Sequence, residues 1–216
     1  MKSVLDAYEK VISMEDNITL ADALCMELGI ATGISLDSGE TVELTNGHWL
    51  NNIRNRLLDP ALLDHLEPGA GFKTQLRHYQ QFGLNWLAAM KSLGFGALLA
   101  DDMGLGKTVQ ILALLEYLRQ NQGFKVLLVI PASLIGNWQK EIARFAPDIQ
   151  YSVLHSKNTE LNDESDLFIT TYGMALRLEH LRNRQWDVVI LDEAQAIKNP
   201  AAGQAKAVKQ FRKGGL

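Results

Sequence analysis

Between residues 74 and 216 the apolar positions switch repeatedly from one residue in three or four to short unbroken runs and back. RHYQQFGLNWLAAM (77–90) carries Tyr79, Phe82, Trp86 and Met90 at helical spacing, which predicts a helix with these four on its core face. GALLA (96–100) reads as a buried strand, and a helix is expected from about 107 to 121. KVLLVI (125–130) predicts a strand and PASLIGNWQKEIARFAP a helix over about 133–145. Shorter strands are expected at about 150–154 and 167–170. A helix over YGMALRLEHLR, a strand DVVILD (187–192) and a last helix over about 201–212 complete the alternation. Continuous apolar strands belong to a parallel sheet covered on both faces. Strand and helix alternating through short connections predict an α/β fold, a three-layer sandwich with a mostly parallel sheet. In such folds ligands collect at the carboxyl ends of the strands.

The first 70 residues follow another pattern. Segments 3–14 and 17–30 read as short helices, a weak strand pair is expected around GISLDSGETVELT, and Asn46-Gly47 marks a turn. HWLNNIRNRLL then places Leu50, Ile53 and Leu57 at helical spacing, and LEPGAGFK (66–73) reads as a linker or domain edge. The chain of 216 residues thus divides into a small mixed N-terminal extension, or tail of a preceding domain, at 1–70 and an α/β lobe at 71–216. That length suits one domain of about 150 residues plus an appendage. No chemistry is legible in the extension.

Composition adds limits. No apolar run approaches the roughly 20 residues that span a bilayer, so no membrane role is expected. Cys25, the single cysteine, sits in the apolar ALCMEL; it fits a reducing compartment and reads as a core thiol. The five histidines show no metal-ligand spacing. Net charge is −4, whereas a domain that binds nucleic acid strongly alone is usually basic. The chain therefore either does not touch nucleic acid or supplies only part of the surface.

Candidate chemistry lies in DDMGLGKTVQ (101–110). Gly106, Lys107 and Thr108 fit the end of a phosphate-binding loop, with Asp101 where the first glycine usually stands. Gly104 and Gly106 let the backbone turn its N–H groups toward an anion, and the following helix adds its positive end. Lys107 would place charge on the β- and γ-phosphates, and Thr108 would ligate Mg²⁺. A plain glycine-rich turn is the competing reading. DVVILDEAQ then sets Asp192 and Glu193 at the carboxyl end of an apolar strand, where Asp192 would orient the metal and Glu193 polarise the attacking water. A solvated acidic turn is the alternative for an isolated pair; together with the loop, the pair reads as machinery for hydrolysing Mg-nucleotide.

LADDMGLGKTVQ, LRHYQQFGLNWL, VIPASLIGNWQKEIARF, ITTY and DEAQAIKNP resemble, in the right order and over about 74–200, motifs I, Q, Ia, Ib and II of the SWI/SNF-type helicase-like ATPases, a branch of helicase superfamily 2. The resemblance implies a RecA-like first ATPase lobe using ATP and Mg²⁺. An acidic residue at Asp101 is normal in that branch. It assigns ATP contacts to Asp102, Met103, Gly104, Leu105, Gly106, Lys107 and Thr108, adenine recognition to Gln80, and a coupling role to Gln195, where the family more often has histidine. Ser133, Thr170 and Thr171 would follow one strand of a duplex, and Trp138 reads as a packing residue. Lys198, Lys206, Lys209 and Lys213 lie in a stretch without acidic residues from 194 onward, a solvated face or a phosphate-facing stripe.

By the same resemblance the parent protein is a double-stranded-DNA-stimulated ATPase that moves along DNA and displaces or remodels a protein partner bound there, with duplex held by both lobes. A second lobe with completing arginines would follow FRKGGL, so the chain alone is expected to turn over ATP barely. The compact spacing between motifs favours a prokaryotic, nucleoid-associated cytoplasmic protein; a eukaryotic one would be nuclear. Two alternatives stay open: a lobe of an RNA or DNA unwinding helicase, and a non-enzymatic, nucleotide-responsive docking module.

Overall fold

The computed structural model describes residues 63–102, 104–120, 124–154 and 161–211. The elements expected within 1–62, and Cys25 with them, lie outside the described residues, as do Met103 and Lys213. Contacts separate the chain into two units, one of residues 1–64 with 85–97 and one of residues 65–84 with 98–216. The second unit carries the sheet.

Its described elements run α1 (His78–Ser92, which continues into the first unit), α2 (Lys107–Arg119), β1 (Val126–Ile130), a 3₁₀ turn (Ala132–Leu134) and α3 (Ile135–Phe145). Then come β2 (Tyr151–Val153), β3 (Leu167–Thr171), α4 (Tyr172–Arg177), α5 (His180–Asn183), β4 (Val188–Leu191), a second 3₁₀ turn (Ala194–Ile197) and α6 (Gly203–Gln210). The helix expected over 172–182 is thus two pieces, broken at Leu178 and Glu179.

The four strands form one sheet in the order β2-β3-β1-β4, every pair parallel. The residues of β1 are buried on both sides, as a central strand of an unbroken apolar run requires. Their side chains alternate between two cores. Val126, Leu128 and Ile130 join Leu112, Leu115, Trp138 and Ile142 of α2 and α3 on one face. Leu127 and Val129 join Tyr172, Leu181, Trp186 and Val208 on the other. Helices on both faces of a parallel sheet make the three-layer α/β, RecA-like lobe that the sequence predicts.

Two expectations fail. GALLA (96–100) forms no strand, and Leu98 is 75% exposed. An apolar run of glycine, alanine and leucine has weak strand preference of its own and becomes a strand only where a neighbour accepts it. The core face of α1 is also displaced. Gln80, Leu84, Leu87 and Met90 are buried, while Tyr79 is exposed and Phe82 and Trp86 are only half-buried. Polar Gln80 takes an inward position because it has hydrogen-bond partners there, which an apolar count does not register.

Residues 66–73 are stitched to the second unit. Phe72 packs on the first core, the Lys73 N–H donates to Phe145 O at 2.8 Å, and the Gln81 amide donates to Leu66 O at 2.7 Å.

Candidate functional site

The glycine-lysine-threonine loop opens α2 through two left-handed glycines, Gly104 at φ 85° and Gly106 at φ 79°, a conformation that costs a side-chain-bearing residue about 1–2 kcal/mol. Gly106 is the N-cap of α2, and no side chain caps this end, so its first N–H groups are open to an anion. A Cβ at Gly106 would also stand 2.6 Å from Gln80 Nε2. The Lys107 ammonium is folded back on the loop, donating to Asp101 O at 2.7 Å and Asp102 O at 3.1 Å. Thr108, on the first turn of α2, is half-buried, while Asp102, Gly104 and Leu105 are exposed.

Asp101 has a role that the motif alone does not reveal. Its Oδ2 accepts a 2.8 Å bond from the side-chain amide of Gln110, one turn into α2 and 1% exposed. Gln110 Oε1 is buried without a hydrogen-bond partner and lies against Gly83 of α1, where any Cβ would collide with it. Gln80 and Tyr79 brace the loop from the same helix. The Gln80 amide and the Tyr79 hydroxyl each donate to Leu105 O at 3.0 Å, and Gln80 Oε1 accepts from Arg77 N. A primary amide keeps one further N–H and one further lone pair, so Gln80 retains groups for an adenine edge.

At the other pole, β4 delivers Asp192 just past its carboxyl end, where the Asp192 N–H still donates to Val129 O at 3.0 Å. Its carboxylate is held at both oxygens: Oδ1 accepts from Glu193 N at 2.9 Å and Oδ2 from the Trp138 indole N–H at 2.8 Å. Its carbonyl accepts from the Tyr172 hydroxyl at 2.8 Å. Trp138 stands in the core of one sheet face and Tyr172 in that of the other, so an aromatic from each side grips this strand tip. Burial, and then the negative charge of Asp192 and Glu193, push the Tyr172 hydroxyl up to about 12. Glu193 takes φ 50°, the only left-handed non-glycine among the described residues. Such strain persists where surroundings impose it and collects at functional sites. The Gln195 amide donates to the Glu193 carboxylate.

An open cleft of about 430 Å³ lies between this tip and the end of β1, lined by Pro131, Ser133, Leu134, Glu193, Gln195 and Ala196. It brings the serine of PASL together with the acidic turn. Thr170 does not join them: it is fully buried in β3 with Oγ1 unpartnered, so its hydroxyl is not offered to a backbone phosphate. Thr171 caps α4, accepting from Met174 N at 3.2 Å. Lys198, Lys206 and Lys209 are exposed.

Among the described residues no ion pair joins Lys107 to Asp192 or Glu193. The two poles share one sheet face through α2 and α3, and the run at 96–100 does not pair with the sheet. Sequence reasoning missed Gln110, Tyr172 and the polar half of Trp138. The available signal was a glutamine at an inward position of an apolar helix, and aromatics that carry a donor needing a partner when buried.

The donor set fits Mg-nucleotide. Open helix N–H groups and an ammonium suit a phosphate, and the Asp192 oxygens each retain a lone pair for a hydrated cation. A left-handed glycine loop opening an uncapped helix, with an acidic pair at a parallel strand tip, defines the phosphate-loop class of α/β lobes. Within that class, residues 79–214 match the SNF2-related domain, and the chain belongs to that family. It is 38% identical over 173 residues to the putative ATP-dependent helicase/translocase YwqA of Bacillus subtilis, covering 76% of this chain and 19% of that protein. It is 34% identical to the ISWI chromatin-remodeling complex ATPase ISW2 of Saccharomyces cerevisiae over 149 residues, covering 63% of this chain and 13% of that one. Among solved structures, the Sulfolobus solfataricus SWI2/SNF2 ATPase core in complex with dsDNA superposes with a TM-score of 0.64 at 39% identity, covering 68% of this chain and 32% of that chain. The chain therefore spans less than a third of these relatives.

Proposed function

We propose that this chain is the ATP-binding first lobe of a duplex-DNA-stimulated ATPase that moves along DNA and remodels protein bound to it. The observation that supports the reading is the cleft that Ser133 lines together with Glu193 and Gln195: Ser133 would contact a backbone phosphate there, and Glu193 would be the hydrolytic acid. Likeness to a solved core in complex with dsDNA supports the same nucleic acid.

Lys107, Gly104, Gly106 and the open N–H groups of α2 hold the phosphates. Thr108 and Asp192 would hold Mg²⁺, which, when bound, neutralises charge on the triphosphate. Glu193 orients the attacking water and accepts its proton, and Gln195 holds the Glu193 carboxylate in place. Ser133, Thr171 and Lys198 lie on the nucleic-acid side. Such lobes act in pairs across a cleft, and an arginine supplied from outside is worth about 10³–10⁵ in rate. Alone, the chain binds ATP weakly and turns it over barely.

Substituting Lys107 by Ala in the intact protein tests the reading. Loss of ATPase with duplex binding kept supports a motor lobe. Activity indifferent to nucleotide and to the substitution establishes a docking module instead, and ATP-driven strand separation by the wild type establishes an unwinding helicase.

A further inference from the structure

Trp138 lies on α3, the helix that begins at the turn where Ser133 faces the cleft, and its indole N–H ends 2.8 Å from Asp192 Oδ2. Three features make this more than a packing contact. The ring is only 4% exposed, and its buried N–H finds its partner in the half-buried Asp192 carboxylate. The second carboxylate oxygen is fixed by Glu193 N, and Tyr172 fixes the carbonyl from the opposite sheet face. The orientation of the carboxylate plane is therefore set jointly by the turn after β4 and by α3. Meanwhile the start of α3 is unfinished: no side chain caps the 3₁₀ turn or the helix, and Ser133 is exposed. A ligand seated there has a rigid element, one turn of helix long, between itself and the acid pair.

We propose that Trp138 is a positioning residue that ties the Asp192 carboxylate to the helix starting at Ser133, so that nucleic-acid backbone seated on that turn is felt at Asp192 and Glu193. The proposal rests on the duplex-stimulated reading above. It gives the indole two consequences. It presents the free lone pairs of Asp192 in one direction toward a cation, and it makes that direction depend on where α3 stands. Partners that orient a metal ligand from behind typically contribute 10–100-fold to metal affinity.

The test compares wild type with Trp138→Phe, which keeps an aromatic ring and removes the donor. A second variant carries benzothienylalanine at position 138, keeping the bicyclic shape with sulfur in place of N–H. Ile142→Val, on the same helix and in the same core but with no polar atom near Asp192, controls for lost packing. A fluorescent ATP analogue is titrated onto the intact protein with Mg²⁺, with EDTA, and with Mg²⁺ plus a duplex. In both position-138 variants affinity in EDTA stays at the wild-type value. Affinity in Mg²⁺ falls about tenfold, and the duplex no longer changes it; Ile142→Val behaves as wild type. A folded position-138 variant with wild-type Mg²⁺-dependent affinity, or with a wild-type response to duplex, overturns the proposal. Wild type that ignores duplex overturns the DNA reading instead, and the Mg²⁺ titration without DNA then decides the Trp138 assignment by itself.

Discussion

The side-chain amide of Gln110 donates to Asp101 Oδ2 at 2.8 Å, and this bond explains an acid at the place where phosphate loops usually carry glycine. The carboxylate ends on a residue 1% exposed in the first turns of α2. Asp101 is thereby a brace between the two ends of the loop. Replacing it with Ala strands a buried amide, at a cost of about 1–3 kcal/mol. The expected outcome is a lower urea midpoint with unchanged slope, together with weaker nucleotide binding. Wild-type stability would show that the bond is dispensable.

Gly83 presents the other side of the same device. A methyl group there meets Gln110 Oε1 head-on, and Gln110 cannot withdraw without releasing Asp101. Gly83→Ala therefore destabilises by about 1–3 kcal/mol, the usual range for overpacking, although alanine is the better helix former. A thermal melt of this single variant decides between the two effects.

Gln80 holds Leu105, and the proposed function also sets it against adenine. Gln80→Ala removes the 3.0 Å bond to Leu105 O and the acceptor for Arg77 N, and is expected to lower stability by about 1 kcal/mol. If the amide also reads the base, discrimination of ATP from GTP falls with it. An unchanged ATP-to-GTP affinity ratio, with stability reduced, would leave Gln80 as a strut only.

Glu193, the proposed base, sits in a left-handed backbone conformation. Glu193→Gly relieves a left-handed φ of 50° worth roughly 1 kcal/mol, so the variant unfolds at higher urea concentration. The same variant, and Glu193→Gln, hydrolyse ATP at least a hundredfold more slowly in the intact protein, the lower end of what a positioned base contributes. Raised stability with lost turnover is the signature to look for.

Tyr172 gives a pH dependence with a definite sign. Its hydroxyl is raised from 10.0 to about 12 in the folded chain, so the native state holds the proton more tightly than the unfolded one. The resulting stabilisation is complete below pH 10 and fades as pH climbs from 10 to about 12. Tyr172→Phe flattens that decline in urea midpoints across the alkaline range. An equally steep decline in the variant assigns it to other groups.

Much of the fold was legible because the sheet writes itself into the chain as unbroken runs: VLLVI and LFITT are buried strands where apolar continuity predicts them. The place of Asp192 and Glu193 just past an apolar strand was legible from the DVVILDEAQ run, and the glycine-lysine-threonine loop is what raises the pair above a solvated acidic turn. GALLA misled because strand formation depends on a neighbour, and pattern contains no neighbours. Tyr79 misled because helical spacing locates a face without saying which of two adjacent faces turns inward; a hydroxyl with a loop carbonyl to reach chose the outer one. Thr170 stands one residue before the strand end, and that single step separates the buried face from the rim. Gln110 closes the same ten-residue stretch that Asp101 opens, but the motif names no partner for either, and Trp138 acts across 54 residues of sequence, which no local motif spans.

The stitching of Leu66, Phe72 and Lys73 onto Gln81 and Phe145 makes the segment ahead of α1 part of the second unit. A recombinant version beginning at residue 74 would lose an aromatic plug and two backbone anchors, and would expose the end of the helix that carries Trp138.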